Sequence, residues 1–219
     1  MNLILLGPPG AGKGTQCKRI VDRYAMVHLS SGDILRAERS AGTDLGRKAQ
    51  TYMDSGALVP DELIIRMMIG AIKKAPDGYV LDGFPRTVAQ AKALDDALDA
   101  AGEEVDGIVN LVIDDQIIIR RMTGRRSCPK CGAVYHVENL KPLVDGICDK
   151  DGEELVQRAD DKPEVVANRL KTYHDQTSPV LGYYQKTGKE ILTIDAARKP
   201  EDVTASVFAE LDSLSDQVG

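Results

Sequence analysis

The 219-residue chain has no tryptophan and only two phenylalanines, and aromatic residues make up 4% of it. Proteins that hold single-stranded nucleic acid stack bases on aromatic side chains, so that class of surface is excluded as a main function. Cations are outnumbered, 28 Lys plus Arg against 34 Asp plus Glu, for a formal charge of −6. Generic binding to an extended polyanion, or to an anionic membrane surface, is therefore not expected unless basic residues converge locally. Long apolar runs are also missing, and nothing approaches the ~20 residues that span a bilayer. The run Leu3 to Leu6 ends at Gly7 and is shorter than the apolar stretch of a secretory signal, so the expected location is the cytoplasm. Internal repeats and low-complexity tracts are lacking too. Hydrophobic residues at 42% and charged residues at 28% describe an ordinary globular chain, long enough to bury a substantial core.

Several short apolar runs have the character of strands buried on both faces: Leu3–Leu6, Tyr79–Leu81, Ile108–Ile113 and Ile191–Ile194. Helical patterns separate them, among them residues 14–24, 87–101 and 162–172. Strands alternating with helices predict an α/β protein with a parallel sheet covered on both sides. Two stretches break the alternation. The first, 30–59, is polar and helical; the second, 124–161, holds three of the four cysteines and too few apolar residues for a core of its own. Both are expected to be small subdomains inserted into one core formed by 1–29, 60–123 and 162–219.

Gly7-Pro8-Pro9-Gly10-Ala11-Gly12-Lys13-Gly14-Thr15 follows the first strand and opens the first helix, the setting that a phosphate-binding loop needs. Glycines let successive backbone N–H groups turn toward phosphate oxygens, and the helix amino terminus adds partial positive charge. Gly10, Ala11, Gly12, Lys13, Gly14 and Thr15 are the candidate contacts. Lys13 is expected to reach the β- and γ-phosphates, and Thr15 to lie near phosphate or Mg²⁺. A glycine-rich turn without a ligand is the plainer alternative. The spacing, the lysine and the helix that follows favour a nucleoside triphosphate.

Cys128-Pro129-Lys130-Cys131, sixteen residues, then Cys148-Asp149-Lys150-Asp151 form C-x₂-C…C-x₂-D, which is zinc-site spacing with a carboxylate in the last place. Four protein ligands leave no position for substrate, so the metal is expected to be structural. His136 and Asp149 are alternative fourth ligands to Asp151. Cys17, inside the first helix, is expected to be a small packed residue, and His28 and His174 ordinary polar ones.

With the loop in place, the chain resembles the adenylate kinase family from end to end. The loop variant with Gly14 between Lys13 and Thr15 is that family's own. Ser30-Ser31-Gly32-Asp33-Ile34-Leu35-Arg36 resembles the start of its monophosphate-binding subdomain, and Asp82-Gly83-Phe84-Pro85-Arg86-Thr87 with Gln90 resembles its AMP-phosphate segment. The resemblance implies AMP contacts at Ser31, Arg36, Ala57, Leu58, Val59, Gly83, Phe84, Pro85, Arg86, Gln90, Arg158 and Arg169. It implies further ATP contacts at Arg121, Arg125, Val134, Tyr135 and Lys199, and a lid bearing a structural Zn²⁺. Asp82, just after a strand, could hold the waters of Mg²⁺.

The implied fold is the P-loop nucleoside monophosphate kinase fold, with a five-stranded parallel sheet and two mobile inserts. The implied reaction is Mg-dependent transfer of phosphate from ATP to AMP, giving two ADP, by a monomer with no nucleic-acid or membrane partner. Lys13, Arg86, Arg125, Arg158 and Arg169 are the catalytic candidates. With Arg36 they supply six cations for two anionic ligands. UMP or CMP as acceptor, or GTP as donor, are the alternatives within this enzyme class. A zinc ribbon on a regulatory ATPase is the alternative outside it, and the net charge of −6 speaks against that reading.

Overall fold

A computed structural model describes residues 1–75 and 78–218. Strand β1 (Asn2–Leu6) is central in a parallel sheet of order β2-β3-β1-β4-β7, with β2 at Val27–Ser30, β3 at Tyr79–Asp82, β4 at Gly107–Val112 and β7 at Ile191–Asp195. Strand side chains alternate in direction, so each strand feeds two cores. Ile4, Leu6, Leu29, Leu81 and Ile108 face helices α4 (Asp61–Ile72), α5 (Val88–Asp99) and α8 (Pro179–Lys186). Leu3, Leu5, Val80, Val109 and Leu111 face α1 (Lys13–Tyr24) and α9 (Pro200–Val218). A third cluster joins α6 (Asp115–Thr123) to α7 (Pro163–Thr172) through Ile118, Met122, Val166 and Leu170.

The expected parallel sheet of five strands is present, and the four apolar runs lie in β1, β3, β4 and β7. Strand β2 was not among them. Val27 and His28 are part-exposed at the sheet's edge, so only Leu29 carries an apolar signal. Ser30 ends this strand and caps the next helix, its side chain accepting from the Asp33 amide. Helices α2 (Ser31–Ser40) and α3 (Asp44–Ser55) lie within the 30–59 stretch. Residues 124–161 fold around a small antiparallel hairpin, β5 (Arg125–Ser127) with β6 (Val134–His136), and end in a 3₁₀ turn at Ala159–Asp161. Among the described residues, no helix is long and apolar enough to cross a membrane.

The chain runs from β1 to β2 and β3 on one side, then crosses to β4 on the other. Ligands of open α/β sheets sit where the strand order reverses, beyond the carboxyl ends of the strands. The glycine-rich loop leaves β1 at that point.

Candidate nucleotide site

Gly7 begins the loop at φ +142°, and a Cβ there would lie 2.8 Å from the Leu111 carbonyl oxygen, so the loop's close seating on β4 depends on glycine. Lys13 opens α1 and donates from Nζ to the carbonyls of Gly7 at 2.7 Å and Pro8 at 2.8 Å. Burial pushes its pKa down to about 8 against the opposing pull of Asp82, and Arg86 and Arg169 lower it further.

Two adjoining cavities open beside this loop. Gly7, Pro9 and Lys13 line the first; Ser31, Arg36, Ala57, Val59 and Gln90 line the second. Leu58, Gly83, Arg86 and Arg169 line both. Two guanidiniums therefore stand at the junction, where groups held in the two cavities would meet.

Carboxylates, carbonyls and one hydroxyl hold the arginines. Arg86 donates from Nε to the Gly83 carbonyl at 2.7 Å, while its backbone N–H donates to Gln90 Oε1 at 2.7 Å. Gln90 donates in turn to Asp61 at 2.6 Å, and Asp61 also accepts from the Thr87 hydroxyl at 2.9 Å. Ser31 donates its hydroxyl to the Gly83 carbonyl at 2.7 Å, and Arg36 pairs with Asp33 at 2.5 Å. Arg125 grips the fully buried Asp161 with two parallel bonds of 2.8 and 2.5 Å. Arg169 donates to the Asp160 carboxylate at 2.6 Å, and Arg158 to the Ser127 hydroxyl at 3.0 Å.

Burial and crowding by like charge act together on the arginines. Burial pushes Arg158 down to about 10, with Arg125 and Arg36 adding to the effect. Arg169 is pushed down to about 10 by burial, with Asp160 opposing and Arg86 and Arg125 reinforcing. Burial alone would raise the Asp160 carboxyl, but Arg169, Arg125, Arg36 and Arg158 together hold it below the ordinary range. All remain charged near neutrality, and an anion bound among them would relieve their mutual repulsion.

Helix α7 ties this region to the backbone after α3. Asn168 donates to the Ser55 carbonyl at 2.6 Å, and Thr172 to that of Gly56 at 3.4 Å. Gly56 sits at φ +76°, and a Cβ there would lie 2.8 Å from Arg169 Cγ.

Other sequence candidates lie elsewhere. Thr15, Val134 and Lys199 are exposed and line neither cavity. Phe84 is buried in the sheet's core, and its neighbours Gly83 and Pro85 line the first cavity in its place. Arg121 donates to the carbonyls of Ala196, Ala197 and Arg198 at 2.8, 3.1 and 3.4 Å, tying α6 to the loop after β7. Tyr135 turns its ring into the core of the 124–161 unit, where its hydroxyl accepts from the Asp149 amide at 2.8 Å.

In that unit the donor atoms of Cys128, Cys131, Cys148 and Asp151 all lie within 4.8 Å of one another. The thiols of Cys131 and Cys148 are 3.6 Å apart, and Cys128 Sγ lies 3.4 Å from both Asp151 oxygens. His136 uses Nδ1 on the amides of Glu138 and Asn139, and Asp149 accepts from the Leu143 amide. The geometry therefore groups Asp151, rather than either alternative, with the cysteines. Asp82, at the end of β3, lies beside α1: a Cβ on Gly14 would be 3.6 Å from its Oδ2.

Comparison with known proteins agrees with this geometry. A family model described as adenylate kinase matches residues 5–189. The chain belongs to the adenylate kinase family. An adenylate kinase of Lachnospira eligens is 52% identical over 210 residues, spanning 94% of this chain and 98% of that protein. Adenylate kinases of Carboxydothermus hydrogenoformans (49% over 210 residues, 94% and 97% of the two chains) and Archaeoglobus fulgidus (45% over 217 residues, 98% and 99%) are similar throughout.

For a member of the adenylate kinase family, the sequence reading found the cations and missed their holders. Asp33, Asp61, Asp160 and Asp161 were not singled out as site residues, although Asp61 and Asp33 stand in the first turns of helices, a signal of order at those ends. His28 and His174 are not partnerless: His28 Nε2 lies 3.3 Å from Asp82, and His174 Nε2 lies 2.9 Å from Asp115.

Proposed function

We propose that this chain catalyses reversible, Mg-dependent transfer of the terminal phosphoryl group of ATP to AMP, giving two ADP and balancing the adenine nucleotide pool. The observation that carries this reading is the pair of cavities sharing Arg86 and Arg169, one opening on the phosphate loop. The acceptor phosphate has a second pKa of about 6 and is already ionised at neutral pH, so attack needs positioning and charge neutralisation rather than a strong base.

In this reading Lys13 and the loop residues 10–15 hold the ATP phosphates. Ser31, Arg36, Gln90, the 57–59 backbone and the 83–86 turn hold AMP. Arg125, Arg158 and Arg169 neutralise the transferring group and orient both ligands. Arg121, Val134, Tyr135 and Lys199 flank the ATP side, Tyr135 through its backbone because its ring is used within the lid. The 30–59 and 124–161 units act as covers on the 1–29, 60–123 and 162–219 core, excluding water that would otherwise take the phosphoryl group.

Mg²⁺ bound with ATP supplies charge at the β- and γ-oxygens, and Asp82 would hold its waters. A structural Zn²⁺ suits the lid cluster, whose three thiols and one carboxylate are a zinc donor set with every position filled by protein. The family supports a monomer, and the acidic net charge speaks for small nucleotides rather than polymers or membranes as partners.

The test is to incubate the protein with MgATP and AMP, UMP or CMP in turn and to separate the products. AMP should be the fastest acceptor, with two ADP formed for each AMP consumed. A faster reaction with UMP or CMP overturns the acceptor assignment.

A further inference from the structure

Behind the phosphate loop, three elements bring together one thiol, one imidazole and one carboxylate. Cys17 lies on α1, His28 on β2 and Asp82 at the end of β3, and their donor atoms all lie within 4.8 Å of one another. The topology explains the meeting. Ser30 is in register with Asp82 across the parallel β2–β3 pair, and His28 is two residues before Ser30, so all three project from the same sheet face. Helix α1 covers that face, and Cys17 lies four residues after Lys13, on the same side of the helix.

Cys17 is fully buried, whereas the side chains of His28 and Asp82 keep 19% and 13% of their area exposed. The cluster is thus walled at the thiol and reachable from its other two corners. A hydrogen-bonded His28–Asp82 pair needs no thiol, yet the thiol completes a set of one sulfur, one nitrogen and one oxygen donor. Zn²⁺ takes all three ligand types, and sites with three protein ligands leave it a fourth position for water or another oxygen. Mg²⁺ and Ca²⁺ prefer oxygen alone.

We propose that Cys17, His28 and Asp82 form a second zinc-binding site, separate from the lid cluster, and that its occupation inhibits phosphoryl transfer. Binding would commit Asp82 to zinc and withdraw it from the waters of Mg²⁺. It would also place a divalent charge one helical turn from Lys13, opposing the ammonium that the triphosphate needs. The inhibition rests on the function proposed above; the uptake of metal does not.

Native mass spectrometry of the full chain, titrated with buffered Zn²⁺, counts the sites. The expected result is two bound ions for the parent protein and one for Cys17→Ala and for His28→Gln, with Cys148→Ser losing the other. Cys17→Ser keeps the core volume should the alanine variant fail to fold. In kinetic assays the Zn²⁺ concentration giving half-inhibition should rise at least about tenfold in the Cys17 and His28 variants, since even indirect ligand partners are worth that much, while their zinc-free rates match the parent. A parent that saturates at one ion, or variants that still take two, overturns the site. Two ions in the parent with no loss of activity keeps the site and overturns the inhibition. A chain that does not phosphorylate AMP removes the function, while the ion count still decides the site.

Discussion

The central sheet and the 124–161 unit, the proposed lid, differ in how much apolar surface holds them together. In the sheet, Leu3, Ile4, Leu5, Ile108 and Val109 are fully buried, and helices close both faces. The hydrophobic cluster of the 124–161 unit is only Cys128, Ala133, Tyr135, Cys148 and Leu155, while Leu140, Leu143 and Val144 stand 58%, 91% and 63% exposed. A unit this small gains little from apolar burial, and in the function proposed above a metal held by Cys128, Cys131, Cys148 and Asp151 would take over that task. Cohesion by area spreads stability over many residues and gives a stiff platform. Cohesion by donor atoms concentrates stability at one point, and it lets a small cover stay intact without a thick core.

The largest effect should come from the platform's own site: Lys13→Ala should lower turnover by about 10²–10³-fold without loss of stability, since it also removes a buried ammonium. A parallel loss of stability would show that loop and platform are not separable. Leu94→Ala, in the fully buried face of α5, should cost about 2–5 kcal/mol in denaturant unfolding and leave lid metal content untouched.

Cys148→Ser, or a strong chelator, should raise amide exchange across 124–161 and abolish lid zinc, with little change in the exchange of β1 or β4. If the strands lose protection equally, the contrast between the two regions fails.

The smallest effect is in pH. Lys13 has a folded-state pKa of about 8, below the ordinary 10.5, so the folded chain releases this proton first. ATP affinity should therefore weaken as pH rises through 8, with about a tenth of the free protein still charged at Lys13 at pH 9. The burden of burying the ammonium is present below 8 and is relieved toward 10.5, which is opposite in sign to the binding effect. Calorimetric titration with ATP from pH 7 to 9 measures this; an equal slope in Lys13→Met would assign it to another group.

Local features were legible in the sequence because their physics is local. The loop from Gly7 to Thr15 declares itself by spacing, as does the cysteine pattern, and continuous apolar runs mark the strands buried on both faces. Strand β2 escaped because an edge strand with one buried apolar residue has no such run. The pairings of the site's aspartates escaped for a different reason: Arg125 and Asp161 are 36 residues apart, and His28 and Asp82 are 54 apart. Only the sheet order and the return of the chain to α7 bring them together. Tyr135 shows the opposite limit, since the motif locates the residue but not the direction of its ring.

The packing of α7 against Gly56 has a consequence for alignment. Arg169 leaves the same helix that binds the carbonyls of Ser55 and Gly56 through Asn168 and Thr172. The spacing between the 55–57 backbone, the proposed acceptor's cradle, and the Arg169 guanidinium is therefore set by covalent chain and by side-chain hydrogen bonds to backbone carbonyls, as a jig sets a distance before the workpiece is loaded. Any side chain at position 56 would wedge the jig open at Arg169 Cγ. In the function proposed above, part of the alignment of the two phosphates would thus be built in while the chain folds, leaving less for closure on the nucleotides to supply.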